Sequence, residues 1–375
     1  MAWSFKLVRL FGVDVKVHFT FVLLLVLQGM QAFSTDGLAG AQQVIGFTLA
    51  VFACVVLHEY GHILTARQFG IQTKDVVLLP IGGVARLERL PERPREEFLI
   101  AIAGPAVNLA LAGLICVVLA SRGVEPLGVI RTTVPALLTG DATGISLLLS
   151  SYWFFLLAIN LFLMGFNLIP AYPMDGGRVL RAVLSVRMGN VRATRVAAKV
   201  GQVLAMSAGV FGLVNQDFML VLLAVFVYLG AGAEAQAVET RAAGKGIIVD
   251  QMMITKFDTI PVYATLRQAV DLLLDGEQRE FPVVDGGGAV AGLLTRDNLI
   301  KGLAHRGPDS AVSAAMTTGA PTLPLGLPFE EALNRLRASN LPALAVLDST
   351  GRVVGLLTLD NITDLILVRQ AVARG

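Results

Sequence analysis

The stretch "LHEYGHILTARQFG", residues 57–70, decides how this chain is read. His58, Glu59 and His62 spell H-E-x-x-H. On a helix, residues four apart share a face, so the two imidazoles can meet one metal ion with the glutamate beside them. Yet the preceding residues, "VIGFTLAVFACVV" at 44–56, are apolar enough for the interior of a bilayer. A charged side chain there costs on the order of 2–3 kcal/mol, and ionisable groups inside a span are functional by default. A short H-E-x-x-H also arises by chance. Its setting in an apolar helix favours the metal reading, and two of the chain's four histidines fall here.

Composition supports the membrane setting. The 375 residues are 55% hydrophobic and 15% charged, with a mean hydropathy of +0.69, too apolar for an ordinary soluble domain. Apolar stretches near 17–34, 42–66, 98–121, 146–169, 198–214 and 217–234 are expected to span the membrane. Lys6, Arg9 and Lys16 precede the first, and no small-residue cleavage site follows, so an uncleaved first span is expected. Arg67, Lys74, Arg86, Arg89, Arg93 and Arg95 follow the second span, and Arg178, Arg181, Arg187, Arg192, Arg195 and Lys199 follow the fourth. The opposite loops carry Arg122 and Arg131. The positive-inside rule then gives a multi-pass protein of the cell membrane with both termini cytoplasmic, a parity that six spans satisfy. The longest outer loop, about 122–145, is too short for an inserted peptide-binding domain. Cys54 and Cys116 lie inside expected spans and read as small buried hydrophobes. A net charge of +2, without a basic run interleaved with aromatics, gives no sign of a nucleic-acid partner.

Near residue 245 polar residues return and Gly and Pro punctuate short β-like runs. The chain is expected to divide into 1–240 and 241–375. The second part repeats itself with an offset of 63 residues: Met253 matches Met316, Pro261 matches Pro324, Asp285 matches Asp348, and Thr295 to Asn298 match Thr358 to Asn361. The register holds without a gap, as in a tandem duplication. The units, about 246–303 and 309–368, each read as strand, amphipathic helix, two strands and helix. The expected fold class is therefore a polytopic α-helical membrane protein of about six spans with a small β-hairpin region, followed by an α/β tandem module.

A catalytic zinc wants three protein ligands and one open position. His18 opens the first span and caps it on the simpler reading. Asp175 is better placed, in "FNLIPAYPMDGGRVLRA" at 166–182, where Pro170 and Pro173 end a helix and Gly176 and Gly177 let the backbone turn. Irregular backbone at membrane depth is tolerated only where protein buries it or water reaches it. Asp175 also reads simply as a cap on the following helix, and both roles are compatible.

His58 to His62, together with Asn167 through Gly177, resemble the site-2-protease family of intramembrane zinc metalloproteases. "PIGG" at 80–83 and "AGPAVN" at 103–108 strengthen the likeness, which covers about residues 10–235 in order. Met174 stands where many relatives have Leu, a swap that conserves volume. The resemblance implies one zinc per chain on His58, His62 and Asp175, with Glu59 activating water. It implies cleavage of a transmembrane helix of another membrane protein in the lipid bilayer. Relatives cut anti-sigma factors, pro-sigma factors, tethered transcription factors or leftover signal peptides. Asn108, Asn167, Gly82 and Gly83 are the positions it places near substrate or the developing oxyanion. Asn108 reads equally as a helix-packing amide. The segment 71–90 reads as two short strands, either a plain hairpin or an exposed edge that pairs with unwound substrate.

"GLLTRDNL" at 292–299 and "GLLTLDNI" at 355–362 resemble a tandem CBS pair, a family whose clefts hold adenine nucleotides. The nucleotide-binding candidates are Thr295, Asp297 and Asn298, and Thr358, Asp360 and Asn361. Asn298 and Asn361 stand where binders carry Asp, and an amide lacks the charge that grips two hydroxyls. The alternative for this module is a platform for homo-oligomerisation or substrate docking. Two further readings of the whole chain are a CBS-tailed channel or transporter and an inactive membrane scaffold. The clustering of polar residues on H-E-x-x-H and Asp175 disfavours both.

Overall fold

The computed structural model describes residues 3–80, 82–87, 91 and 93–372. Ile81, Glu88, Arg89 and Leu90, all within the expected 71–90 segment, lie outside the described residues. Two compact units appear, Met1–Gln236 and Ala237–Gly375.

The first unit opens with strands β1 (Ser4–Leu10) and β2 (Val13–His18), an antiparallel hairpin absent from the sequence-based expectation. Its two-residue turn, Phe11–Gly12, has left-handed φ at both positions (47° and 84°), the twist that suits tight hairpins. β2 runs straight into helix α1 (Phe19–Gln68), whose N-terminus His18 caps by accepting from the Thr20 amide. α1 accounts for both of the first two expected spans. It is helical through the expected connection at 35–41 except at Gly37 (φ 65°, ψ −155°), the one conformation in it that needs glycine. The halves fold back on each other: Thr48 donates to Gln28 at 3.0 Å, and the Phe21 and Phe52 rings are 4.2 Å apart.

Strands β3 (Thr73–Leu79) and β4 (Gly82–Leu87) follow as an antiparallel hairpin, as the sequence suggests. β3 pairs parallel with β2, giving one sheet in the order β1-β2-β3-β4. Asp75 is buried in it. Lys16 donates to it at 2.6 Å and Arg86 grips it through both Nε and Nη2. The Arg86 guanidinium, helped by Lys16, lowers the Asp75 carboxyl to about 2.

Then come α2 (Pro94–Ser121), α3 (Pro126–Thr139), α4 (Ala142–Leu149), α5 (Tyr152–Asn167), α6 (Asp175–Met188), α7 (Asn190–Val214) and α8 (Phe218–Gly244). Among the described residues four helices, α1, α2, α7 and α8, are long and apolar enough to cross a membrane; α3 and α4, bent by 119°, make a fifth if taken as one span. The expected outer loop at 122–145 is thus largely helical. The expected span at 146–169 is reduced to the sixteen residues of α5, about 24 Å of helix. Large apolar side chains such as Phe33, Val203, Phe211, Phe226 and Leu229 face outward, as lipid-facing helices require.

In the second unit the duplicated plan is regular. β5 (Ile260–Pro261), α9 (Leu266–Asp275), β6 (Glu280–Val284), β7 (Val290–Thr295) and α10 (Arg296–Arg306) form the first copy, and β8 (Thr317–Thr318) joins its sheet. β9 (Leu323–Pro324), α11 (Phe329–Ser339), β10 (Ala343–Leu347), β11 (Val353–Thr358) and α12 (Leu359–Val372) form the second. Each copy buries its own apolar core, one around Phe281 and Leu299 and the other around Phe329 and Leu357. Leu293, Ala343 and Leu356 pack between the copies.

Candidate metal centre

Two elements distant in sequence supply the centre. α1 carries His58 and His62 one turn apart, both buried. Asp175 is the first residue of α6, also buried. The loop before it ends at Met174, and α6 packs directly on that loop. A Cβ at Gly176 would lie 2.2 Å from the Ile169 carbonyl oxygen, and one at Gly177 would lie 2.7 Å from the Ala171 and Tyr172 backbone. Neither glycine has a left-handed φ. They are required by close backbone approach, a different reason from the sharp turn expected of them.

His58 Nε2, His62 Nε2 and Asp175 Oδ2 form a triangle with every edge 3.1 Å. His62 Nδ1 lies 2.7 Å from the Ile100 carbonyl oxygen. An acceptor there requires Nδ1 to carry the proton, so the Nε2 lone pair of neutral His62 points into the triangle. Lone pairs and a carboxylate oxygen meeting at one point repel unless a cation lies among them. Zinc–ligand bonds of about 2.0–2.1 Å place tetrahedral ligand atoms about 3.3–3.4 Å apart, close to the observed edge. The donor set therefore fits zinc. Among the described residues it is the group of His, Cys, Asp and Glu that meets the requirement.

α2 covers the triangle with bare backbone. A Cβ at Gly104 would sit 2.3 Å from His62 Nε2 and 2.7 Å from His58 Nε2. Gly104 thus keeps the ligand position open, a role that its sequence did not reveal. One turn further, Asn108 is fully buried and neither atom of its amide has a partner. A buried amide left unpaired costs roughly 1–3 kcal/mol, so a polar group absent from the chain is its natural partner.

Glu59 is half-buried, and β4 passes close to it at Gly83. A Cβ at Gly83 would lie 2.9 Å from Glu59 Cγ and 3.2 Å from Val55 Cγ1. Among the described residues β4 pairs with β3 on one side only, and no other strand pairs with its far edge. Gly82, at φ 136°, begins it. Asn167 instead turns its amide onto Leu163 of its own helix at 3.0 Å, and His18 stays at the N-terminus of α1 bonded to Thr20. The structure brings neither into the triangle.

Two further polar features escaped the sequence. Buried Glu97, in the first turn of α2, accepts from buried Arg181 of α6, tying together the helices that carry Gly104 and Asp175. Buried Asn160 of α5 donates to Cys54 Sγ at 3.2 Å and to the Leu156 carbonyl. Glu97 and Arg181 lie 84 positions apart, and Asn160 and Cys54 lie 106 apart, so no local pattern announces such pairs.

In the second unit Thr295 and Thr358 cap their helices, accepting from the Asn298 and Asn361 amides. The Asn298 side chain donates to Thr317, and Asn361 accepts from Thr358. Asp297 and Asp360 are exposed. A cleft of about 1190 Å³ is lined by Thr358, Asp360, Asn361, Arg296, Lys256 and Glu280, among others. Arg296 has Leu359 as its counterpart in the second copy.

Comparison with known proteins matches these features. The profile of Peptidase family M50 matches residues 46–208, and the CBS domain profile matches 249–305 and 312–368. A zinc metalloprotease of Methanocaldococcus jannaschii is 34% identical over 76% of this chain and 77% of its own length. The chain belongs to peptidase family M50. This M50 peptidase also resembles Rip3 of Mycobacterium tuberculosis, at 28% identity over 96% of this chain and 91% of that protein. The solved site-2 protease from Methanocaldococcus jannaschii is 34% identical and covers 62% of this chain and 95% of that one, with a TM-score of 0.44. The M50 peptidase is thus a zinc metalloprotease of the site-2 type with a pair of CBS domains.

Proposed function

We propose that this M50 peptidase hydrolyses peptide bonds within membrane-spanning segments of other proteins, using one zinc ion held by His58, His62 and Asp175. The observation that carries the reading is the convergence of those three ligand atoms at 3.1 Å spacing in an apolar helix bundle. Bound there, zinc supplies Lewis acidity to a water molecule and to the scissile carbonyl. Glu59, beside the ligands, takes the water proton and returns it to the leaving amine. Asn108 offers its unpaired amide to the carbonyl oxygen as negative charge develops. Gly82 and Gly83 let an extended substrate strand approach Glu59 along the free edge of β4, which holds the scissile bond out of helical geometry. Asn167 acts one step back, at the end of α5 before the Asp175 loop.

The topology that suits this chemistry has six crossings: the two halves of α1, then α2, α5, α7 and α8, with both termini and the basic loops in the cytoplasm. Nine residues separate His58 from Arg67, about 13 Å of helix, so water reaches the centre from the cytoplasmic side. The cleft holding Thr358, Asp360 and Asn361 is read as an adenine-nucleotide site that regulates the peptidase, with Thr295, Asp297 and Asn298 as its counterpart, and the CBS pair as the route to homo-oligomers.

Glu59→Gln tests the catalytic assignment. Purified protein should keep one zinc per chain and lose cleavage of a co-expressed membrane substrate by about 10²–10⁴-fold. Normal cleavage by this variant overturns the role of Glu59. The inactive form also traps substrate for identification.

A further inference from the structure

The hairpin of β1 and β2 takes no part in the peptidase chemistry, and its surface is unusual. Trp3, Phe5, Leu7 and Phe11 are 71%, 61%, 69% and 70% exposed, and Val8 and Leu10 are each 40% exposed. A bulge at Leu7 puts Phe5, Val8 and Leu10 on one face of this edge strand, opposite Val17, Val15 and Val13, while Lys6 and Arg9 lie on the other face, opposite Lys16 and Asp14. In water such a strand is an aggregation hazard that soluble proteins suppress. Phe11 adds to the anomaly. It occupies a left-handed turn position that Asn, Asp or Gly fills at lower conformational cost.

The contacts of the hairpin fix its depth along α1. Ser4 pairs with His18, Phe19 donates its amide to the Trp3 carbonyl, and the Trp3 and Phe19 rings are 6.5 Å apart. Phe21 lies against Phe52 in the returning half of α1, so the strand begins near the level of Cys54. At the other end Tyr60 donates to the Leu10 carbonyl at 3.1 Å, Phe11 packs on Tyr60 with ring centroids 6.0 Å apart, and Arg67 donates to the Phe11 carbonyl at 3.3 Å. β1 therefore runs beside the last three turns of α1, the layer that holds His58 and His62. Tyr60 is seven residues before Arg67, about 10 Å of helix. The same layer is the boundary between acyl chains and headgroups if Arg67 marks the membrane surface. Aromatic side chains partition there.

We propose that β1 and its Phe11–Gly12 turn are an interfacial membrane anchor, seated among the headgroups and upper acyl chains of the leaflet from which the C-terminal end of α1 emerges. Lipid is the occupant that fits: the apolar residues are continuous with the start of a spanning helix through the Trp3–Phe19 contact, and the strand sets an apolar face of Phe5, Val8 and Leu10 against a charged face of Lys6 and Arg9, the amphipathic division of an interfacial element. Lys6, which lies 2.7 Å from Asp14, is already paired, so acyl contact and not headgroup charge is the main attraction. The inference rests on the membrane placement of α1 and is independent of the zinc chemistry.

The chain has two tryptophans, Trp3 and Trp153. Trp153→Phe leaves Trp3 as the sole emitter. The full-length variant is reconstituted into phosphatidylcholine vesicles carrying bromine at shallow or deep acyl positions. Trp3 emission should be blue-shifted, quenched most by shallow bromines and little affected by aqueous iodide. Strong iodide quenching with no response to bromine overturns the proposal. So does protection from both quenchers, which means that a second copy or a bound peptide covers the strand. The Trp3→Phe protein, which keeps Trp153, gives the same contrast by difference. Zinc content and cleavage are measured in parallel, so a failed anchor leaves the peptidase reading standing.

Discussion

His58 and Asp175 are separated by 117 residues, yet His58 Nε2 and Asp175 Oδ2 lie 3.1 Å apart with His62 Nε2 equidistant from both. Removing either side of this junction should release the metal. His58→Ala and Asp175→Asn are each expected to lose stoichiometric zinc by elemental analysis, and cleavage should fall by more than about a hundredfold, beyond the usual cost of a supporting residue. Retention of zinc by Asp175→Asn would show that the third ligand lies elsewhere.

Gly104 faces the metal position with a hydrogen atom where any other residue has a Cβ. Gly104→Ala should therefore mimic ligand loss without touching a ligand. Its Cβ would fall 2.3 Å from His62 Nε2. Zinc content is expected to drop sharply while helix content by circular dichroism stays that of the parent. Full zinc occupancy in this variant would mean that α2 stands further from the centre.

The Glu97–Arg181 pair is buried at both ends. Breaking one partner of such a pair costs about 3–5 kcal/mol, because the other charge is left alone in a poor solvent. Arg181→Met should lower the unfolding midpoint in detergent markedly and loosen Asp175 with it. The double variant Glu97→Gln with Arg181→Met should recover much of the loss. If the double change is as harmful as the sum of the single ones, the two side chains do not act as a pair.

Asp75 gives the sheet a pH dependence of definite sign. Its carboxyl titrates at about 2 in the folded chain because Arg86 and Lys16 hold it ionised, against about 3.9 when unfolded. A lowered folded value means stability that is complete above about pH 4 and lost as pH falls through about 2. Arg86 is 40% exposed, so solvent screening reduces the contribution to roughly 1–2 kcal/mol. The stability gap between the parent and Asp75→Asn should close over that window in acid unfolding, and a gap unchanged at low pH would remove Asp75 as its source.

His58, Glu59, His62 and Asp175 stood out as candidates because ionisable groups in apolar sequence have few bland explanations, and the fold places the two histidines and Asp175 together. The β3–β4 hairpin was legible from Pro and Gly between two short β-like runs. The tandem module showed itself through an ungapped repeat. The β1–β2 hairpin was not legible, since a bulge at Leu7 shifts the alternation midway along β1 and breaks the period of two that marks a half-buried strand. Gly104 was invisible because a glycine matters there only through what α1 places beneath it. The sixteen residues of α5 sit inside a longer apolar run, and hydropathy does not register the break at Ser150–Ser151 that divides it from α4. In each case the missing information is tertiary.

The duplication itself is not symmetric in charge. Arg296 lines the large cleft of the second unit together with Thr358, Asp360 and Asn361, and its repeat-related counterpart is Leu359. An anionic ligand seated in this cleft would meet a guanidinium able to hold two oxygens, whereas the matching position of the other copy presents an exposed aliphatic side chain. On the proposed nucleotide reading, the two copies are therefore unequal, and one bound anion per chain is the stoichiometry expected from equilibrium dialysis.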